Sequence, residues 1–456
     1  MPRTRRQSEG GAQAASAGLA AILFYAFVPL PLAVAVAADL GLSAGEASRW
    51  IAVVWATGAV ASIVLSIRHR QPVAITWSVL SLVYLGSLAG QFTFAELVGA
   101  NLVAGIAILA LALLGVGERV MRLVPMPIVL GMFAGSILEY VTGAAAATAA
   151  DGAVAGSAVA GYLAARAVGS RRLPPVAVAV LCGAAAVAAT GGIGPVDGAW
   201  SPPALGVPGI ELAPAAILTV SPPLVVFALA LGNVQALGFM VAQGYRPPVT
   251  AISLAVGAAS ILNALLGGHQ ASVGRATSAI VGGPDAGPAE GRWRASVIAS
   301  VGALGIAAAA GPVAALVGAL PASFVAVVCG LALLGPFQES LRRSLDGPLR
   351  LGALVAFVVA ATPFTAAGIG SSSWALVAGV AASLAVERQA LRATRGERPK
   401  PQVVTARRPR RGAIPRSAAI RSALARRRAA SSSSPSAPRA AGAPARSAAA
   451  HASSGR

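Results

Sequence analysis

"GGHQASVGRATSAI", residues 267–280, sets a histidine and an arginine between two apolar runs. AISLAVGAASILNALL (251–266) precedes it, and ASVIASVGALGIAAAAG (295–311) follows beyond a short polar loop. A lipid-facing helix needs about 20 mostly apolar residues to cross a hydrocarbon core of about 30 Å. This stretch has too few. Irregular backbone survives at membrane depth only when it is buried in protein or lines a cavity. Gly267 and Gly268 permit a tight turn into the stretch. A half-helix beginning near His269 would aim its N-terminal amides and positive dipole end at the membrane centre, a place for an anion. Arg275, about one and a half turns further on, adds a permanent charge whose planar fork of donors matches a carboxylate. Such a charge costs several kcal/mol at mid-membrane unless it faces water or a partner. Plainer readings stay open: in a simple loop Arg275 is a solvated arginine, and His269 is a helix-start residue with no proton role.

The rest of the chain fits a membrane setting. Of 456 residues, 56% are hydrophobic and 11% charged, against about a quarter charged in soluble domains. The apolar runs are continuous rather than alternating, which excludes a β-barrel. The fold class expected is an all-α polytopic membrane protein. No cleavable signal peptide is visible: PRTRR stands before a first apolar run that leads into further spans. The formal charge of +20 is concentrated at the end of the chain: residues 387–456 hold 17 Arg or Lys and 2 Glu. That Ala/Ser/Pro/Arg-rich tail cannot bury enough apolar area to fold and reads as a disordered basic tail. It is expected to be cytoplasmic and drawn weakly to anionic lipid heads, with no nucleic-acid partner.

Fourteen segments are expected: 17–38, 48–67, 72–86, 96–115, 124–142, 152–168, 174–190, 216–241, 249–266, 268–282, 294–311, 316–334, 350–364 and 373–386. A twelve-span count would make segments 3 and 10 loops. With odd segments running outward, RHRQ (68–71), GERVMRL (117–123), GSRRLPP (169–175), GYRPP (244–248), AEGRWR (289–294) and ESLRRSLDGPLR (339–350) lie inside. The long loop around 191–215 has no Lys or Arg and lies outside. This positive-inside pattern puts both termini in the cytoplasm of a cell that carries the protein in its inner or plasma membrane. VPMPIVLGMFAGSIL (124–138) and LPASFVAVVCGLALL (320–334) look like one unit used twice, about 196 residues apart. The same offset carries short segment 3 onto short segment 10. The domains expected are therefore a cytoplasmic segment 1–16, a first repeat 17–190, an outer loop 191–215, an inverted second repeat 216–386, and the tail 387–456. Paired short segments in inverted repeats mark the binding site of a secondary transporter.

The counterpart stretch QPVAITWSVLSLVYLG (71–86) offers Thr76, Trp77 and Ser78, two hydroxyls around an aromatic face. Trp77 could equally be an interface anchor. Segment 8 carries Asn233 and Gln235 among apolar residues; buried amides need partners, and helix–helix glue is the plainer role. The titratable candidates for proton coupling are His269 and Glu139, the latter near the outer end of segment 5, where snorkelling is the plainer role. No GxxxxGK[ST], HExxH or nucleophile–base constellation occurs, and Cys182 and Cys329 stand alone in apolar runs. No cofactor, metal or enzyme chemistry is expected, which leaves coupling to a proton or ion gradient.

QPVAITWS, FAELVGANLVAGIAILALALLGVGERVMRLVPMPIVLGMFAG, AQGYRPPV, LLGGHQ and GGPDAGP resemble the benzoate/proton symporter family over roughly residues 15–390. The resemblance implies the seven-plus-seven inverted-repeat fold shared with uracil and sulfate permeases, with a core domain of segments 1–4 and 8–11 and a gate domain of segments 5–7 and 12–14. It implies a substrate held between the ends of segments 3 and 10, beside segment 8. Asn233, Gly267, Gly268 and His269 match the family pattern. Gly232 stands where Gln is usual, Gln235 where Pro is, Ser272 where Asn is, Arg275 where a small residue is, and Val79-Leu80-Ser81 where Thr-Pro-Gly is. The function expected is proton-coupled transport of a small, aromatic carboxylate, with a homodimer as one admissible assembly. The alternatives are a carrier of another anion or a nucleobase-like solute on the same fold, and a channel or non-transporting scaffold.

Overall fold

The structure is a computed structural model and describes residues 2–116, 125–169, 175–194, 203, 206–367 and 369–396. The expected inner loop at 117–123, most of that at 169–175, part of the loop at 191–215, and the tail from 397 lie outside the described residues. In chain order come α1 (Pro2–Phe27), α2 (Pro29–Asp39), α3 (Ala44–His69), β1 (Ile75–Trp77), α4 (Val79–Gly86) and α5 (Phe94–Leu113). Then follow α6 (Met126–Ala150), α7 (Val154–Val168), α8 (Pro175–Thr190), α9 (Pro214–Val226), a π-helical stretch Phe227–Asn233, α10 (Val234–Ala242) and α11 (Val249–Leu265). The chain continues with β2 (Ala271–Val273), α12 (Arg275–Gly282), α13 (Trp293–Ala308), α14 (Ala310–Gly318), α15 (Ala322–Leu345) and α16 (Arg350–Ala361). It ends with β3 (Thr365–Ala366), β4 (Ile369–Gly370), α17 (Ser371–Val386) and α18 (Arg388–Gly396). Among the described residues, six helical spans are long and apolar enough to cross a bilayer, a seventh is a bent pair, and five shorter helices are apolar. This is a multi-pass membrane protein.

The internal repeat is sharper in the backbone than in the letters. Adding 196 to 75–77 gives 271–273, the bounds of β2; adding it to 79–86 gives 275–282, those of α12. Likewise 126 becomes 322, where α15 starts, and 175–190 becomes 371–386, the bounds of α17. The two copies meet at β1 and β2, which pair antiparallel with Thr76 opposite Ser272. Since 76 plus 196 is 272, each copy sets the same position opposite itself. An antiparallel pair in that register has a local two-fold axis through its middle, which is how an inverted repeat meets its other half.

Two groups of helices pack among themselves: α1, α3, α5, α9, α11 and α13 in one, and α6, α7, α8, α15, α16 and α17 in the other. Proline placement helps to join them. Pro223 lies inside α9 and has no N–H to give the carbonyl of Thr219, four residues back. That carbonyl accepts instead from the Tyr84 hydroxyl at 2.7 Å and the Ser373 hydroxyl at 2.9 Å, tying α9 to α4 and α17. Backbone groups without a ladder partner must be satisfied internally at membrane depth.

Several expected bounds are corrected. Helix α1 begins at Pro2, so residues 2–16 are helical and run unbroken into a span that starts at Gly10. Segment 12 does not begin at 316: residues 310–318 form α14, bent 65° from the preceding helix, and α15 starts at Ala322. Pro312 cannot donate to the Ala308 carbonyl, so α13 ends there. Helix α6 runs on to Ala150, which leaves Glu139 well inside it rather than near its end. Residues 388–396, assigned to the disordered tail, form α18.

Candidate functional site

Segments 3 and 10 are each an extended strand followed by a two-turn helix, and neither is a surface loop. Ile75 and Trp77 of β1 and all three residues of β2 are buried. Flanking bonds lengthen the ladder: Ser78 N–H donates to Gln270 O and Gly274 N–H to Ala74 O, both at 2.9 Å. The strands' other edges are closed by side chains. Ser62 of α3 accepts from Ile75 N at 2.7 Å and donates to Ile75 O at 2.8 Å. Ser260 of α11 accepts from Ala271 N at 3.1 Å, and Asn233 Oδ1 accepts from Val273 N at 2.9 Å. Ile75 and Ala271 are equivalent positions, so a serine from the preceding span serves each copy.

The strands run straight into helix starts of unlike chemistry. Ser78 caps α4, its side chain accepting from Ser81 N. Gly274 starts α12 with no side-chain cap, and Arg275 is its first residue. A Cβ on Gly274 would stand 2.6 Å from Thr76 Cγ2, so the close approach of α12 to β1 requires glycine here. The half-helix thus begins at Arg275, not near His269 as its glycines suggested: residues 271–273 are held in the strand pair first. Arg275 sits at the helix start rather than one and a half turns in. Its side chain is exposed, and one terminal nitrogen donates to Gln235 Oε1 at 2.8 Å. A cation at a helix N-terminus is disfavoured by the dipole; what gains there is an anion, met by free amides and guanidinium together.

Asn233 ends the π-helical stretch, and its Nδ2 is buried without a partner. A Cβ on Gly232 would come within 2.8 Å of Ser272 Cβ, so segment 8 touches the strand pair through glycine. His269 is buried between two tryptophans, with ring centroids 5.4 Å from both Trp50 and Trp77. Its carbonyl accepts from Asn263 Nδ2 at 2.8 Å.

The structure therefore brings Thr76, Trp77, Ser78, Asn233, Gln235, Gly268, His269, Ser272 and Arg275 to one crossing. Thr76 and Ser272 stand opposite each other, and Gly268 lies against Val54 and Asn263. Glu139 is not there. It lines a separate cavity of about 310 Å³ with Ser87, Gln91, Ser136, Ser371 and Ser372 among its walls. Trp50, Trp55 and Asn263 escaped sequence reading. They lie in ordinary apolar spans, and no local signal says that Trp50 meets a residue 219 positions away. Among the described residues no cluster of three potential metal ligands occurs.

A profile of benzoate membrane transport proteins matches residues 10–385. The chain belongs to the benzoate membrane transport protein family. It is a membrane transport protein, not an enzyme. Among its relatives, inner membrane protein YdcO of Escherichia coli K12 is 29% identical over 74% of this chain and 87% of its own. A benzoate membrane transport protein of Acinetobacter baylyi is 26% identical over 80% of this chain and 93% of its own. Among solved structures, the transmembrane domain of the cyanobacterial bicarbonate transporter BicA superposes with a TM-score of 0.53 at 15% identity, covering 81% of this chain and 97% of that one. The murine Slc26a9 anion transporter in its inward-facing state gives 0.58 at 14% identity, covering 83% and 68%. At such identities the likeness concerns the fold alone, the inverted-repeat architecture of these transmembrane domains.

Proposed function

We propose that the protein is a secondary transporter of a small organic anion, benzoate or a related aromatic carboxylate, working by proton symport in the inner membrane. The observation that carries this reading is the uncapped start of α12 with Arg275 as its first residue, beside the paired strands. Amides, guanidinium and the unpartnered Asn233 Nδ2 are all donors, and a carboxylate supplies acceptors only. The Thr76 methyl, at the Gly274 helix start, would give a ring an apolar contact beside them. The family name and the Acinetobacter relative's name support benzoate as the first solute to try.

The helix group α1, α3, α5, α9, α11 and α13 would act with β1, α4, β2 and α12 as the core. The group α6, α7, α8, α15, α16 and α17 would act as the gate against which it moves. Both termini would lie in the cytoplasm, as the charge pattern of the loops supports. A proton would travel with the acid itself or through Glu139. Uptake into proteoliposomes tests the reading, with aromatic acids, bicarbonate and uracil compared with and without an inward proton gradient. Saturable benzoate uptake that the gradient accelerates is the expected result. Uracil uptake with none of benzoate, or flux that neither saturates nor responds to the gradient, would sink it.

A further inference from the structure

His269 is the one imidazole at the crossing, and its surroundings say which proton it holds. Trp50 Nε1 lies 2.6 Å from His269 Nδ1, with both side chains buried. An indole N–H can only donate, so Nδ1 must be the acceptor and carry no hydrogen. The proton of the neutral ring is then on Nε2. That atom is buried and has no hydrogen-bond partner of standard geometry.

We infer that Trp50 is a positioning residue that locks His269 as a neutral Nε2–H donor, so that His269 is not the proton carrier of this transporter. Protonating Nδ1 would set two N–H groups head to head at hydrogen-bond distance, and the ring would have to break from Trp50 to accept the charge. Among the described residues, no carboxylate is hydrogen-bonded to the ring. On α3, Arg49 lies 3.5 Å from where Gly267 would carry a Cβ, and a second positive charge there opposes an imidazolium. Glu46 of α3 and Glu96 of α5 are held in the capping boxes of their exposed helix starts. Arg68 and His69 lie at the far end of α3. Tyr25 of α1 stacks edge-on against Trp55, and Tyr84 of α4 donates to Thr219 O. Neither β1 nor α11 carries a charged or titratable residue. The ring is also hemmed in by Trp50 and Trp77, both in T-shaped contact at interplanar angles of 69° and 75°. Asn263 holds its backbone carbonyl and in turn accepts from Thr57 at 2.5 Å. An unperturbed histidine changes charge near pH 6.5; this one is built to present a fixed N–H in the range where a proton symporter works.

The inference concerns one ring and does not depend on which solute is carried, so it can fail while the transport reading stands, and the reverse. The chain has three histidines, at 69, 269 and 451. The full chain in nanodiscs, ring-¹⁵N-labelled at histidine and carrying His69→Gln and His451→Gln, reports His269 alone. The expected spectrum is a single Nε2–H tautomer that stays unchanged from about pH 8 to about pH 5. Trp50→Phe keeps the aromatic bulk and removes the donor. In that variant nothing holds Nδ1 as the acceptor, so an Nδ1–H form should appear beside the Nε2–H form. An Nδ1–H tautomer or an imidazolium signal in the parent within that range overturns the inference, whether or not Trp50→Phe folds. A folded Trp50→Phe protein whose ring behaves like the parent's overturns Trp50 as its cause.

Discussion

At the start of α4, Ser78 turns its own side chain back onto Ser81 N, and Val79 follows. At the equivalent place 196 residues on, Gly274 offers no side chain and Arg275 follows. The backbones around these positions are the same: a three-residue strand, a cap and an eight-residue helix, paired through Thr76 and Ser272. One copy satisfies its own helix start; the other leaves its amides open and adds a cation beside them. A symmetric scaffold has thus been given one polar pole. Under the proposed function, the first half would support the crossing and the second would hold the anion.

The comparison can be broken at several points, beginning with the backbone. Gly274→Val should cost about 2–3 kcal/mol of stability and abolish uptake, because its Cβ collides with Thr76. The equivalent Ser78 already carries a Cβ, so Ser78→Val should leave the strand pair intact. Equal thermal stability of Gly274→Val and the parent would show that the close approach is not needed. Next comes the charge itself. Arg275→Lys should weaken benzoate binding by about 1–1.5 kcal/mol in calorimetry, since a point charge lacks the guanidinium fork. Ser78→Ala removes the cap of α4 and should lower stability by about 1 kcal/mol while the affinity of the folded protein holds. A large loss of affinity there would place the anion on the first half as well. The smallest effect belongs to Gln235→Ala. It frees the exposed Arg275 side chain and should change affinity by about 0.5 kcal/mol, the scale of one solvent-exposed hydrogen bond.

The fold was legible because a bilayer writes its thickness into the chain. Each crossing needs a long apolar run, and segments 3 and 10 announced themselves by falling short. Their common offset from the Pro125 and Pro321 helix starts exposed the repeat. The start of α12 was misread because Gly267 and Gly268 look like the beginning of a helix. What holds residues 271–273 extended is a strand almost 200 residues away, and three-residue strands leave no periodicity to find. The Gln235–Arg275 and Trp50–His269 bonds were hidden for the same reason: each joins residues distant in sequence through side chains that have plainer uses in a span. The break before α14 did have a signal, Gly311-Pro312, which a hydropathy reading passes over because both residues sit in an apolar run.

The central claim is that the anion is held by the second half-helix and not by the first. Calorimetry with benzoate on the parent, Val79→Ala and Arg275→Ala, all in the same nanodiscs, compares the first residue of each half-helix directly. The account predicts that Val79→Ala binds within about twofold of the parent, while Arg275→Ala loses about 2 kcal/mol, roughly 30-fold in affinity. Arg275→Ala binding like the parent, in protein shown to be folded, would contradict it.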